Sequence, residues 1–314
     1  QDVVEVLLKG AGIKFDEQKR LPSYLLFLSS NEMDSIAHIC REHWDVLADL
    51  AVKARSQSDD GDQESARTRG RGRTPGRTPK DGVPKVALEA LHEALEHGRS
   101  ADLALFGRMI ADVPGWNVEA ACQVAHAIST HKVSTEFDYF TAVDDLQQED
   151  TTGAGMLGTV QFNSACFYRY TNLDVEQLKT NLDDDVSLAR DTVAALLRAT
   201  IEAIPTGKQN SMAAQNMPSF ILAVVREDGP WSLTNAFVKP VRPTEQSDLI
   251  DGSVRKLVEH WNNLAGMYGT SGIRDAWVSS LETYTGVPID AKSGTVNQLI
   301  QGIIAATFGS EAAA

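Results

Sequence analysis

Two adjacent aspartates, Asp144 and Asp145, stand a short way beyond two histidines, His126 and His131. These residue types hold divalent metals or move protons. Their spacing argues against either use. Histidines five positions apart do not share a helix face, and neighbouring aspartates on a strand point to opposite sides. A hydrogen-bonded hairpin base is the competing reading. GAGMLG at 153–158 fails as a phosphate loop because it sits in a hairpin tip rather than between a strand and a helix. No serine or cysteine triad assembles by pattern. Cys40, Cys122 and Cys166 are far apart and odd in number, which argues against a disulfide framework and a zinc cluster. Packed, reduced thiols are expected, with no metal and no cofactor.

The stretch that must position these groups, 124–170, reads as the end of a helix, a strand, a tip at 147–158 and a return strand. Phe137, Tyr139, Thr141 and Val143 share one strand face, and Asp138, Phe140, Ala142 and Asp144 the other. On the return, Val160, Phe162, Cys166 and Tyr168 alternate with Gln161, Asn163, Ala165 and Phe167. Glycines, acids and threonines at the tip leave little to bury, so a mobile loop is expected there. Aromatics on both faces and a mobile tip describe a hairpin built to touch something else.

The rest of the chain alternates helix and strand signals without strict order. Apolar residues at 2–9 predict a short buried helix or strand, broken by Gly10 and Gly12, and 25–28 reads as a buried strand. Ser29 and Glu32 have capping-box spacing ahead of Ile36, Cys40, Trp44, Leu47 and Leu50, which predicts a helix over 31–55. Order should fail over 56–84, where Arg67, Arg69, Arg71, Arg73, Arg77 and Lys80 follow an acidic piece. That segment is either a basic arm for nucleic acid or a solvated insertion, and the insertion is favoured. Helices are expected over 86–97, 117–129 and 249–268, and a strand over 102–106. A long helix capped by Asp174 and Gln177 should end at Pro205 and Gly207. The apolar run 220–225 predicts a central strand buried on both faces, and Thr295 with Gln298 opens a last helix through Phe308. The pattern suits an α+β domain better than a doubly wound sheet.

At 314 residues the chain can bury a full core, and its net charge is -14. That charge is the main objection to a nucleic-acid partner, because phosphate binding is driven by Lys and Arg. No apolar run approaches the roughly 18 residues of a membrane helix and no signal peptide is visible, so a cytoplasmic protein without a membrane partner is expected.

Several phrases in fixed order carry a resemblance: LFLSSNEMD at 26–34, GRM at 107–109, AHAISTH at 125–131, DYFTAVDDLQ at 138–147, FNSACFYRY at 162–170, GKQNSMAAQN at 207–216 and NAFVKPV at 235–241. Together they resemble the Cascade backbone subunit of type I-E CRISPR systems, the CasC family of the RAMP superfamily. The resemblance implies an α+β fold with an RRM-like (ferredoxin-like) antiparallel sheet palm, a helical finger lobe and a protruding thumb hairpin. By this division 1–28 belongs to the palm, 29–131 is the finger lobe, 132–170 the thumb and 171–314 the rest of the palm. By the resemblance, the family's opening segment, which supplies a sheet strand and a basic stretch on the guide, is expected to be missing ahead of Gln1.

The implied function is non-catalytic: the subunit repeats along CRISPR RNA, beside other copies of itself and other Cascade subunits, and presents the guide to the target DNA strand. Met109 matches a methionine that wedges against a displaced base, and Phe140, Thr141 and Leu157 match thumb positions over the guide. Lys208, Lys239 and Arg242 are candidates for phosphate contacts, the last two beside prolines that stiffen the backbone. Each has a plain alternative: core methionine, sheet aromatic, surface cation. The rival function is a metal-dependent endoribonuclease using Asp144, Asp145 and His131, and a third is a hairpin that binds only protein.

Overall fold

The computed structural model describes residues 1–16, 19–64, 82–96, 100–142, 156–284, 286 and 291–309. The chain is α+β and divides into two compact units, Gln1–Gln123 with Leu173–Thr192, and Val124–Asn172 with Val193–Ala314.

The first unit is mainly helical: α1 (Asp2–Gly10), α2 (Ser30–Glu42), α3 (Trp44–Glu64), α4 (Lys85–Glu96), α5 (Ala101–Phe106) and α6 (Val175–Asn181). A two-residue ladder pairs β1 (Phe15–Asp16) with β2 (Leu21–Pro22), and β3 (Cys122–Val124) lies where the chain leaves the unit. Leu7, Leu47, Leu91, Leu95, Ile110 and Trp116 make its fully buried centre. The capping box is formed as expected: the Ser29 hydroxyl accepts from the Glu32 amide, and the Glu32 carboxylate accepts from the Ser29 amide. The helix it opens breaks at His43 into α2 and α3, and α3 runs on to Glu64, into the segment expected to lack order. The basic stretch 65–81 lies outside the described residues.

Several expectations fail here. The run 25–28 is extended but unpaired among the described residues: Tyr24, Leu26 and Leu28 face the core while Leu25 and Phe27 are exposed. Residues 102–106 form α5, not a strand. A short apolar run does not reveal its period, and alanine and leucine favour the helix. The helix expected over 117–129 is instead a set of short extended pieces. Val118 and Arg108 exchange both backbone hydrogen bonds, at 2.9 Å each, so tertiary pairing uses the groups a helix would need. The long capped helix is also divided. Asp174 caps α6, but Asp183 and Asp184 adopt left-handed backbone conformations (φ 52° and 61°) before α7 (Val186–Glu202) begins.

The second unit holds β4 (Ile128–Ser129), β5 (Glu136–Ala142), β6 (Met156–Phe162), β7 (Phe167–Tyr168), β8 (Thr171–Leu173) at its edge, the later turns of α7, α8 (Gln209–Met212), β9 (Phe220–Arg226), α9 (Leu249–Tyr268), β10 (Ile273–Ser280), β11 (Lys292–Ser293) and α10 (Val296–Phe308). β10 lies between β9, antiparallel to it, and β11, parallel to it. Ile221, Ala223, Val225 and Trp277 pack on Leu299, Ile300 and Ile303 of α10. The fit is close at Gly302, where a Cβ would stand 2.1 Å from the Trp277 ring. β9 is thus half-buried throughout and lies at the edge of the described sheet, not at its centre. Its apolar outer face explains why the run read as fully buried. β10 carries no clean apolar signal, because Arg274 and Asp275 interrupt it, and it was not expected. α9 and α10 match their expected spans, and α10 opens with the Thr295–Gln298 capping box. Among the described residues no helix is long and apolar enough to cross a membrane.

Candidate nucleic-acid interface

In the first unit, Gly107, Arg108 and Met109 follow α5. Gly107 has φ 70°, and a Cβ there would stand 2.6 Å from the Val118 carbonyl oxygen, so only glycine passes this point without strain. Beyond it the chain is extended and side chains alternate: Arg108 points in, Met109 out and Ile110 in. Met109 is 83% exposed and joins Leu25, Phe27, Phe106 and Val118 around a cleft of about 410 Å³. Buried beneath it, the Arg108 guanidinium reaches the carbonyls of Phe27, Leu95 and Trp116 and the Glu32 carboxylate, the last at 2.7 Å.

In the second unit, β5 and β6 pair antiparallel over seven rungs, from Glu136↔Phe162 to Ala142↔Met156. Phe137, Tyr139 and Phe140 are all exposed, so the aromatics on both faces of the ribbon lack cover among the described residues. A lone two-stranded ribbon is marginal in water and needs an anchored base. Here β4 pairs with β7, Ile128 opposite Tyr168. The buried Thr130 hydroxyl lies 2.7 Å from that of Ser253 on α9 and also reaches the Cys166 carbonyl. His131 is held at both nitrogens, Nδ1 donating to the Lys132 carbonyl and Nε2 accepting from the Cys166 amide at 3.1 Å. Burial pushes the Tyr168 hydroxyl pKa up, and that hydroxyl accepts from the Leu233 amide.

The candidate cations of this unit gather near that base. Lys208, in a left-handed conformation at the start of α8, donates to the Gln161 carbonyl of β6 at 2.8 Å. Val241 is buried between Lys239 and Arg242, and its amide donates to the Thr130 carbonyl, beside the bridge His131↔Val241. Lys239 and Arg242 themselves are exposed, and the Lys239 carbonyl accepts from Lys256.

The model of the CT1975-like protein family matches residues 1–302. The chain belongs to the CT1975-like protein family. Its fold is also similar to solved chains described as "CRISPR RNA-guided surveillance complex, pre-nicking" (28% identity, TM-score 0.71, 96% of this chain and 76% of that one) and "CRISPR RNA-guided surveillance complex" (31% identity, TM-score 0.58, 68% and 83%). No curated protein matches.

Within this CT1975-like chain the structure brings Phe140, Thr141 and Lys208 to the hairpin, and Lys239 and Arg242 to the segment bound at its base. Thr141 pairs with Leu157 through the backbone, and the Leu157 side chain lies outside the described residues, as do Asp144 and Asp145. Among the described residues no cluster of three or more His, Cys, Asp or Glu is placed to hold a metal. Sequence reasoning placed Glu32 in the capping box but missed its pairing with Arg108. Both sat inside recognised phrases, but their partners lie 76 positions apart and only the fold joins them.

Proposed function

We propose that this chain is a non-catalytic CRISPR RNA-binding backbone subunit of the type I-E kind. Copies repeat along the guide RNA within a cytoplasmic surveillance complex, beside other Cascade subunits, and present the guide for pairing with the target DNA strand. The observation that carries this reading is the uncovered aromatic ribbon of β5 and β6 in a chain similar to CRISPR RNA-guided surveillance complex chains. Contact between aromatic side chains and bases is worth roughly 1–3 kcal/mol per base and tolerates any sequence, which is what a guide-holding subunit requires. The sheet of β9 to β11 with α10 serves as the RRM-like palm, β5 and β6 as the thumb. Met109, Phe140, Thr141 and Leu157 meet bases; Lys208, Lys239 and Arg242 meet phosphates. Pairing reads the sequence while protein holds backbone and shape. No cofactor enters this scheme, and His131 serves the hairpin base through both ring nitrogens.

Electrophoretic mobility of single-stranded RNAs of increasing length tests the repeating assembly. Stepwise shifted species whose number grows with RNA length are expected. A single species at every length, or cleavage of the RNA, would contradict the reading.

A further inference from the structure

We infer that Arg108 is the positioning residue of the cleft in the first unit, holding Phe27 and Met109 as two walls of the base-contact site proposed above. The base-binding consequence rests on the proposed RNA-binding reading; the positioning rests on geometry alone. The Arg108 and Glu32 side chains are each 1% exposed. Burying a guanidinium is costly unless its charge is paired and its donors are used. Arg108 uses them on four acceptors from three stretches of the chain: Nη1 reaches the Glu32 carboxylate at 2.7 Å and the Phe27 carbonyl at 3.3 Å, Nη2 the Leu95 carbonyl at 2.8 Å, and Nε the Trp116 carbonyl at 2.9 Å. Glu32 is fixed in turn, because its other oxygen accepts from the Ser29 amide at 2.8 Å. Only a planar fork spans acceptors on several sides at once; a lysine ammonium does not.

The same guanidinium therefore holds both walls. Its bond to the Phe27 carbonyl ties down the extended segment whose Phe27 side chain faces the cleft, 62% exposed. Its own inward orientation sends the next side chain, Met109, outward. Backbone pairing of Arg108 with Val118 completes the frame.

The test compares R108K, E32Q and M109A with the unsubstituted chain by two readouts. The first is the fluorescence of 2-aminopurine placed in a single-stranded RNA, which brightens when the base leaves its stack. The second is hydrogen exchange at the residue 108 and Val118 amides against that of α2 and α4. R108K is expected to lose the brightening to the level of M109A and to bind about tenfold more weakly, the size of one lost base contact. Its salt dependence should stay unchanged. Exchange should speed up at 108 and 118 while α2 and α4 keep their protection. Unchanged brightening and exchange, or protection lost evenly across the unit, would overturn the inference, the latter because it marks a merely structural role. E32Q retains an acceptor for the Ser29 amide but removes the charge that fixes the fork, and the same local pattern is expected if R108K does not fold. If the unsubstituted chain gives no RNA signal, the RNA-binding reading fails, and exchange at Val118 still decides whether Arg108 positions the cleft.

Discussion

Gly107 shows how much of the cleft depends on single positions. A methyl group there would meet the Val118 carbonyl oxygen at 2.6 Å and the Ala120 amide nitrogen at 2.8 Å, in a backbone conformation (φ 70°) that L-residues avoid. G107A is predicted to cost at least about 1–3 kcal/mol, read as a drop of several degrees in thermal denaturation. A second residue-scale prediction concerns acid. Hydrogen bonds from Ser247 and then Arg255 hold the Asp251 carboxyl below the usual range. Burial pushes the Glu5 and Asp275 carboxyls up, but Lys9 with Arg20, and Lys292 with Trp277, outweigh it, so both are also lowered. In the window between folded and unfolded pKa values the unfolded chain binds more protons, so stability rises with pH there. The contribution is present above the ordinary carboxylate value of about 4 and lost as pH falls through the lowered ones. Tm should therefore fall below about pH 4, and less steeply in D275N. The glycine, arginine and methionine of GRM were legible in sequence as a phrase. That Arg108 turns inward was not, because no local pattern reveals acceptors at Phe27, Leu95 and Trp116.

The pairing of the hairpin was legible at the scale of elements because alternation survives in any extended segment. But β6 begins at Met156, inside the expected tip, and ends at Phe162, while Phe167 and Tyr168 of the expected return strand form β7 and pair with β4. The hairpin's register adds something alternation cannot give: Phe140 faces Gly158 across the ribbon, and a Cβ on Gly158 would stand 2.5 Å from the tip of the ring. G158A should fold, because the ring end can swing away, but it should displace Phe140. We predict weaker RNA binding for G158A and about a tenfold loss for F140A, each measured by titration with the same RNA. The elements that misled are those whose partners are distant in sequence. Residues 117–129 have helical apolar spacing but spend their backbone on distant partners, Val118 on Arg108, Ala121 on Asp174, and Ile128 and Ser129 on β7, and β10 has little apolar pattern yet is fixed by β9 and β11 on either side. The starts of α6 and α10 were legible because their cap signals are local: Asp174 and Thr295 each accept from the amide three residues on.

At the scale of the whole molecule, a net charge of -14 opposes RNA, so the proposed binding must come from a few placed cations and from base contact. Lys208 is tied to β6, and Lys239 and Arg242 flank a valine tied to the hairpin base, so fold rather than composition gathers them. If each meets one phosphate, K239A should make the slope of log affinity against log salt shallower by about 0.7, the single-strand value per contact. The most direct test of the central claim is fluorescence anisotropy of labelled single-stranded RNAs of unrelated sequence, titrated with this chain at two salt concentrations. The account predicts binding that is alike across sequences and weakens as salt rises. No binding, or binding that ignores salt, would contradict it and leave the acidic charge as the better guide to its partners.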